Sequence, residues 1–258
     1  MKKTLIASIL STLFLTACVG NKQDNSAVLT DSGLNPQNFV TDINGKKTGL
    51  FVLKNKNNME VCVTNFGGRI VSVMAPDRNG VMRDVVLGFD SIQDYIKYPS
   101  DYGASIGRYA NRIANGRFTL DGTTYQLPQN NYGHCLHGGP KGFQYVVYDA
   151  TQTDSSEVKL SYYAKDMEQG FRLTDDNAID LKYEAETDKP TIINMTNHSY
   201  FNLDGDPAKG NADYLLMVNA SHFTPVDSTF MTTGEILPVE GTPMDFRKAH
   251  KIGDEIEA

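Results

Sequence analysis

The sequence predicts an all-β fold, a large antiparallel β-sandwich. Short apolar runs alternate with Gly, Asn and Asp turns along most of the chain, which is the pattern of many short strands. Helical periodicity is scarce. The chain has 258 residues, 40% of them hydrophobic and 10% aromatic, which is enough for one large core. We therefore expect residues 39–258 to form a single sandwich domain.

The first residues have the pattern of an export signal. Two lysines, Lys2 and Lys3, precede an apolar run over residues 5–15 that is too short to span a bilayer as a helix. The sequence LTAC at residues 15–18 resembles a bacterial lipobox, which is cut before a lipid-bearing cysteine, here Cys18. We expect a signal peptide over residues 1–17 and an exported, membrane-anchored lipoprotein. The alternative is an ordinary secretory signal with a chance cysteine.

The composition and charge predict a tether, the class of partner and the state of two cysteines. Residues 18–38 are polar without periodicity, which predicts a flexible tether between the lipid and the domain. The net charge of -7 argues against a nucleic-acid partner, which requires clustered Lys and Arg. We expect Cys62 and Cys135 to be unpaired thiols and the protein to be a monomer.

The strands are justified in chain order by their turns. Apolar runs at residues 49–53, 59–64 and 69–74 are separated by Asn, Lys and Gly clusters, which predicts an opening β-meander. Residues 118–127 read as a hairpin with Asp121 and Gly122 at its tip, since Gly accepts the positive φ of a type I′ turn. Later strands are predicted at residues 145–150, 158–163, 178–184, 190–194 and 214–218.

Two helical segments are expected. Residues 91–98 predict a short helix in which Ser91 is the N-cap and Asp94 occupies the third helical position. Residues 248–258 form a helix-like run without a stop signal such as a C-terminal glycine. The chain shows no internal repeat and no second apolar segment long enough to cross a membrane.

Two histidines indicate acid/base chemistry on a neutral substrate. His198 lies in NMTNHSYFNL, residues 194–203, directly after a strand-like run. Its unperturbed pKa of about 6.5 allows proton transfer near neutral pH. His137 lies in a glycine-rich turn, CLHGGP, at residues 135–140. Turns between strands commonly form the walls of a ligand site.

Four motifs occur in order: GRYANRIANGRF at 107–118, LHGG at 136–139, TNHSYFNL at 196–203 and GTPMDFR at 241–247. With these motifs the chain resembles the aldose 1-epimerase, or galactose mutarotase, family from about residue 48 to its end. The resemblance implies a galactose mutarotase-like β-sandwich that interconverts the α and β anomers of free sugars such as galactose and glucose. It implies no cofactor and no metal.

The resemblance also implies roles for particular residues. His198 would protonate the ring oxygen as general acid, and His137 would assist it or bind the developing carbonyl end. The sugar-holding residues would be Asn111, Arg112, Tyr200 and Asp245. Independently of the family, opening a hemiacetal ring needs a proton delivered to the ring oxygen and another removed from the anomeric hydroxyl. Arg, Asp and Asn provide fixed partners for sugar hydroxyls.

Each assignment has a structural alternative. Either histidine could bond a loop carbonyl, and Arg112 could pair with a carboxylate at a sheet edge. Asp245 could cap a helix beginning near Arg247. His134, Cys135 and His137 could suggest a metal, although they lack the repeated spacing of zinc sites.

Other functions also stay open. A carbohydrate-binding module or pseudoenzyme of the same fold is the main alternative. An epimerase of hexose phosphates would need additional Arg or Lys for a dianion, and a glycosidase would need a pair of carboxylates in matched turns.

Two departures from the family pattern bear on activity. The family's catalytic glutamate lies downstream of the Asp245 position, and no residue here matches it, so we expect a C-terminally truncated, incomplete sandwich. A turn and a strand that relatives carry between the segments at 168–171 and 173–177 are missing, and Arg172 alone joins the two. We expect unpaired or re-paired neighbouring strands, and a marginally stable chain of weak or no activity.

Overall fold

The computed structural model describes residues 28–164 and 168–255. Its regular structure is almost entirely antiparallel β. The helices are α1 (Ile92–Lys97) and 3-10 turns at Pro36–Phe39, Ala114–Gly116, Gly139–Lys141, Phe143–Tyr145 and Ile252–Glu255. The strands are β1 (Asp42–Ile43), β2 (Lys46–Lys47), β3 (Leu50–Lys54), β4 (Glu60–Thr64), β5 (Arg69–Pro76), β6 (Met82–Asp84), β7 (Ser105–Ile106), β8 (Arg112–Ile113), β9 (Arg117–Leu120), β10 (Thr123–Gln126), β11 (Cys135–Leu136), β12 (Asp149–Gln152), β13 (Glu157–Ser161), β14 (Glu168–Leu173), β15 (Ile179–Glu184), β16 (Thr196–Asn197), β17 (Leu215–Leu216), β18 (His222–Phe223), β19 (Leu237–Pro238) and β20 (His250–Lys251).

Two antiparallel sheets of four strands form the centre of the molecule, in the orders β3-β4-β5-β6 and β12-β13-β14-β15. They share one hydrophobic core, to which Val61 and Val73 contribute from the first sheet and Leu160 and Phe171 from the second. Fully burying one such side chain contributes about 1.5–3 kcal/mol. The predicted all-β sandwich is confirmed.

A second core lies on the other side of the first sheet, beneath α1. Ile92 and Tyr95 pack there against Phe39 and Val71. The Ser91 Oγ accepts the Asp94 N–H at 3.1 Å and donates to the Asp94 carboxylate at 2.6 Å, which confirms the predicted cap. No helix in the described part of the chain has the length and apolar character needed to cross a membrane.

The chain joins the core earlier than the predicted domain boundary at residue 39. The buried Glu60 carboxylate accepts the backbone N–H groups of Asp31 at 3.1 Å and Ser32 at 3.3 Å. Leu34 is only 7% exposed and packs in the core beneath α1. The prediction of a flexible tether is therefore wrong for residues 31–38, because a buried acceptor and an apolar side chain fix this polar segment. Residues 18–27 and Cys18 lie outside the described residues.

The predicted hairpin is confirmed. β9 and β10 pair in register, and the tip residues Asp121 and Gly122 have φ of 48° and 74°, as a type I′ turn requires. The rings of Phe118 and Tyr125 stack with their centroids 5.1 Å apart.

Two predicted elements are wrong. Residues 190–194 form no strand, because their ordered backbone pairs only at one end, where Asn194 exchanges hydrogen bonds with Arg108 and Ala110. The helix expected over residues 248–258 is instead β20 followed by a 3-10 turn in its described part. Pairing of His250 with Leu216 gives this backbone the partners that a helix would otherwise supply.

The residues on either side of Arg172 lie in paired strands. β14, which contains Arg172, pairs with both β13 and β15, and a turn over residues 174–178 joins it to β15. β14 is therefore not left unpaired, and the loss of a strand relative to the family stays a prediction. The side chains of β15 are mostly exposed, so this strand contributes little to the core.

Candidate active site

His137 is held by the backbone of Asn111. β8 and β11 place Arg112 opposite Leu136, and the chain leaves this pair through Asn111 on one side and His137 on the other. The His137 N–H donates to the Asn111 carbonyl, and the Asn111 N–H donates to Nδ1 of the His137 ring, both at 3.0 Å. Both residues have positive φ, 62° and 54°, which few non-glycine residues adopt. The ring orientation is thus set by main chain.

Gly138 allows this loop to sit where it does. Its φ is 78°, and a Cβ at this position would lie 2.1 Å from the Gly107 carbonyl oxygen. Only glycine permits this approach of the two loops.

His198 follows β16, which pairs with β7. Its N–H donates to the Ala104 carbonyl at 2.8 Å, and the Asn197 amide donates to the Gly103 carbonyl at 2.8 Å. The Asn197 oxygen also accepts the Ser199 N–H at 3.0 Å, so this asparagine fixes the turn. The described hydrogen bonds that hold the loop involve the His198 backbone, which leaves its ring available to a ligand.

The structure brings three of the predicted site residues together. The rings of His137 and His198 face each other edge to face, with centroids 5.3 Å apart. The Tyr200 ring lies 5.0 Å from that of His198 and also contacts Tyr102. Both histidines are partly exposed, so a ligand can reach them.

His137 is poised as a neutral hydrogen-bond donor. Burial lowers its pKa; the Asp101 carboxylate acts in the opposite direction, and the positive charge of Arg112 and a protonated His198 lower it further. Because the Asn111 N–H occupies the lone pair of Nδ1, the neutral ring carries its proton on Nε2. The ring therefore presents an N–H to a ligand near neutral pH.

Within the described residues, the partners found for the Arg112 guanidinium beside these rings are amides and not carboxylates. Its guanidinium donates to the side-chain oxygen of Asn131 at 2.8 and 3.1 Å and to that of Asn111 at 3.3 Å. These partners are amides, not the sheet-edge carboxylate that the alternative interpretation required. The guanidinium also lies 5.2 Å from the centre of the Phe230 ring.

An aromatic wall, Tyr132 and Phe230, flanks Arg112 and was not predicted. The two rings lie 5.6 Å apart and are 63% and 51% exposed. Phe230 follows a loop in which Asp227 accepts hydrogen bonds from Thr229 and Met231. An Asp-Ser-Thr turn before an aromatic residue is the only local signal, and it does not show which loop this ring approaches.

His134 is structural. Its Nδ1 accepts the Asn115 N–H at 3.0 Å, and its Nε2 lies 2.9 Å from the Thr229 hydroxyl. Both ring nitrogens thus connect loops, and the metal set of His134, Cys135 and His137 does not form. Cys62 and Cys135 are buried free thiols, as expected.

Asp101, which the sequence analysis missed, joins the histidine pair. One carboxylate oxygen of Asp101 and one ring nitrogen each of His137 and His198 all lie within 4.8 Å of one another. A metal ion does not suit this set, because binding Nε2 of His137 would move its proton to Nδ1, against the Asn111 N–H. The groups fit proton transfer better than metal binding.

Asp245 has a different partner. Its carboxylate forms a bidentate pair with Arg247 at 2.8 and 2.6 Å, which is the main reason that its pKa is lowered to about 2. Of the contacts found among the described residues, none joins Asp245 to the histidine pair. It caps no helix, since a turn and β20 follow it. Its role toward a sugar stays a prediction.

Solved structures place the fold in a known class. The chain resembles a GalM/aldose epimerase homologue from C. elegans with a TM-score of 0.76 and 32% identity, covering 81% of this chain and 66% of that one. It resembles a galactose 1-epimerase from Lactobacillus acidophilus with a TM-score of 0.74 and 30% identity, covering 84% and 67%. The protein is thus a β-sandwich of the galactose mutarotase type.

Sequence comparison specifies the family. The profile described as aldose 1-epimerase matches residues 49–258. A galactose mutarotase of Rattus norvegicus is 37% identical over 78% of this chain, and an aldose 1-epimerase of Escherichia coli K12 is 38% identical over 83%. The chain belongs to the aldose 1-epimerase family. It spans 61% and 64% of the length of these two relatives.

Proposed function

We propose that this protein interconverts the α and β anomers of free aldoses, with galactose and glucose as first candidates. The observation that carries the proposal is the facing pair of His137 and His198 beside Arg112, whose guanidinium is bound by the Asn131 amide. The names of the relatives, galactose mutarotase and aldose 1-epimerase, support the same reaction class. No cofactor is proposed.

In the proposed reaction, His198 gives a proton to the ring oxygen while the bond between that oxygen and C1 breaks. The anomeric hydroxyl loses its proton to a carboxylate or water molecule acting as general base, and C1 becomes an aldehyde. The Nε2–H of His137 donates to the oxygen on which this carbonyl develops. After rotation about the C1–C2 bond, closure on the other face reverses both transfers. The acid and the base thereby return to their starting protonation states.

The surroundings suit a neutral sugar. Arg112 and the Asn111 amide offer a donor and an acceptor to hydroxyl groups, and Tyr200 stands beside the acid. The aromatic wall of Tyr132 and Phe230 can cover an apolar ring face. Asp245 is proposed as a further hydroxyl ligand, which would require exchange of its Arg247 partner.

Polarimetry of freshly dissolved α-D-galactose and α-D-glucose tests the proposal. The chain from residue 19 onward is first shown to be folded and, as we expect, monomeric by light scattering. We expect equilibration faster than the buffer blank, and a loss of about 100-fold or more in His198→Ala. His222→Ala is the matched control, because His222 is exposed in β18, which pairs with β19, and it should retain the rate.

A folded sample that does not exceed the blank would contradict catalysis by this chain. A galactose titration would then decide between the two remaining interpretations. Saturable binding that Arg112→Gln weakens would identify a carbohydrate-binding module, and no binding would exclude both.

We also propose that the protein is exported and anchored to a membrane through lipidated Cys18. The support is the sequence pattern alone, since this residue lies outside the described part of the chain. In cells producing the complete chain, Cys18→Ser should move the protein from the membrane to the soluble fraction. Ser26→Ala should leave it in the membrane fraction. An unchanged distribution of Cys18→Ser would contradict the anchor.

A further inference from the structure

The loop that carries Asp101 is held in place by a buried arginine. Arg69 is fully buried, and its guanidinium donates to the Ser100 and Tyr102 carbonyls at 3.0 and 2.9 Å. It also donates to the Gln144 carbonyl at 2.8 Å. The backbone on both sides of Asp101 is thus bound to one rigid cation in the core.

Gly103 brings the same loop against the first sheet. Its φ is 66°, and a Cβ there would lie 1.9 Å from the Ile70 carbonyl oxygen. The Ile70 N–H donates to the Gly103 carbonyl at 3.0 Å, so the loop is bonded directly to β5. This close approach excludes any side chain at position 103 without movement of backbone.

The loop is also bonded to the His198 segment. The Gly103 N–H donates to the His198 carbonyl at 3.2 Å, and the His198 N–H donates to the Ala104 carbonyl at 2.8 Å. The backbone that follows Asp101 is therefore tied to the His198 segment. The position of Asp101 within 4.8 Å of both ring nitrogens follows from backbone contacts rather than from a flexible side chain alone.

The charges around this carboxylate are defined. Asp101 interacts electrostatically with the Tyr145 and Tyr200 hydroxyls, and it adds to the effect of burial in raising the pKa of each. The Arg69 guanidinium is the buried cation behind it. The titratable or charged groups facing the histidine pair and Asp101 are His137, His198, Arg112, Arg69, Tyr102, Tyr145 and Tyr200.

The chemistry of ring opening requires one histidine to carry an additional proton. His137 resists this, because burial and the Asn111 N–H both favour its neutral form. An imidazolium next to Arg112 and a second histidine needs a nearby negative charge. Asp101 is the carboxylate that the structure places next to both rings. The Asp101 carboxylate lies beside both histidines, so it would be on the same side of a bound sugar as the acid. A base that acts across the sugar ring would have to lie on the opposite side.

We propose that Asp101 is a positioning residue whose carboxylate is the counter-charge that allows the histidine pair to hold the proton delivered to the ring oxygen. The inference rests on the proposed function for its catalytic consequence. The charge coupling itself is independent of activity.

NMR titration of the histidine ring protons tests the coupling, with the His137 signal assigned by its loss in His137→Ala. Asp101→Asn removes a negative charge that raises the His137 pKa, so we expect its titration midpoint to fall by about one pH unit. Asp101→Glu keeps the negative charge, so its His137 titration midpoint should stay near that of the unsubstituted chain. Asp90→Asn, the same substitution on an exposed residue before α1, should not move the midpoint.

A folded Asp101→Asn chain, checked by circular dichroism, whose His137 midpoint equals that of Asp90→Asn would overturn the proposal. In an active chain we further expect Asp101→Asn to lower kcat about 10- to 100-fold with little change in KM, because the carboxylate acts through the histidines. Arg112→Gln should instead raise KM. An inactive chain that still shows the midpoint shift would contradict the proposed function and leave the coupling intact.

Discussion

The two central sheets and the stretch from residue 214 to 251 differ sharply in packing. Leu160 and Phe171 in the central sheets are fully buried, and the sheets share a continuous core. In the later stretch the strands have two residues each, and Leu215 and Ile236 are 72% and 70% exposed. Val239, which is 2% exposed, is the buried hydrophobic residue among those described in this stretch. Stability therefore resides mainly in the first region.

The candidate site follows the same division. Asn111, Arg112 and His137 stand on loops bonded to packed strands, and His198 is bonded to the Ala104 backbone. Asp245 lies in the exposed region with Arg247 as its partner. The difference teaches that the facing histidines are held by the packed part, whereas Asp245, the predicted sugar ligand, lies in the least packed part.

The largest effect is expected where the packed region holds the site. Arg69→Ala removes the charged donor of three carbonyls and leaves a buried void, so we expect a loss of about 4 kcal/mol or more in the free energy of unfolding. Urea unfolding followed by circular dichroism measures it. Arg247→Ala, on the exposed side, is the control. Equal midpoints for the two variants would show that the buried arginine does not organise this region.

A matched pair of leucines sharpens the comparison. Leu160→Ala creates a cavity between the sheets and should lower the free energy of unfolding by about 3 kcal/mol. Leu215→Ala removes an exposed side chain and should change it by less than about 0.5 kcal/mol. The same urea experiment measures both. A large effect at Leu215 would contradict the exposure of this stretch, because it would mean that the Leu215 side chain is buried in solution.

The smallest stability effect is expected at Asp245. Its folded pKa, about 2, lies below the unfolded value of about 3.9, so its stabilising contribution is present above the unfolded value and is lost as the pH falls through about 2. Because the pair is partly exposed, Asp245→Asn should hardly move the unfolding midpoint at pH 7 and should move it still less at pH 2.

The same variant tests the predicted role of Asp245 toward the sugar. If the carboxylate holds a hydroxyl, galactose affinity should fall several-fold in Asp245→Asn while stability stays unchanged. Isothermal titration calorimetry measures this. Unchanged affinity would assign Asp245 to its pair with Arg247 alone.

Much of the local structure could be predicted from sequence. The Ser91 cap and the type I′ hairpin at Asp121 and Gly122 each depend on residues within a few positions. Two of the predictions that failed, a tether through residue 38 and a helix after residue 247, lie where distant partners decide. The Glu60 carboxylate accepts the backbone N–H groups of residues 31 and 32, and Leu216 pairs with His250 between two strands.

By itself, the sequence determined the all-β class and the family motifs, and it predicted the two histidines as candidates for proton transfer. Only the tertiary structure decided that these rings face each other, that His137 carries its proton on Nε2 and that Asp101 lies beside both. The physical reason is the separation along the chain over which each interaction acts. Capping and turn chemistry act between neighbours, whereas the register of strands and a buried cation such as Arg69 bring together residues that are far apart in the chain.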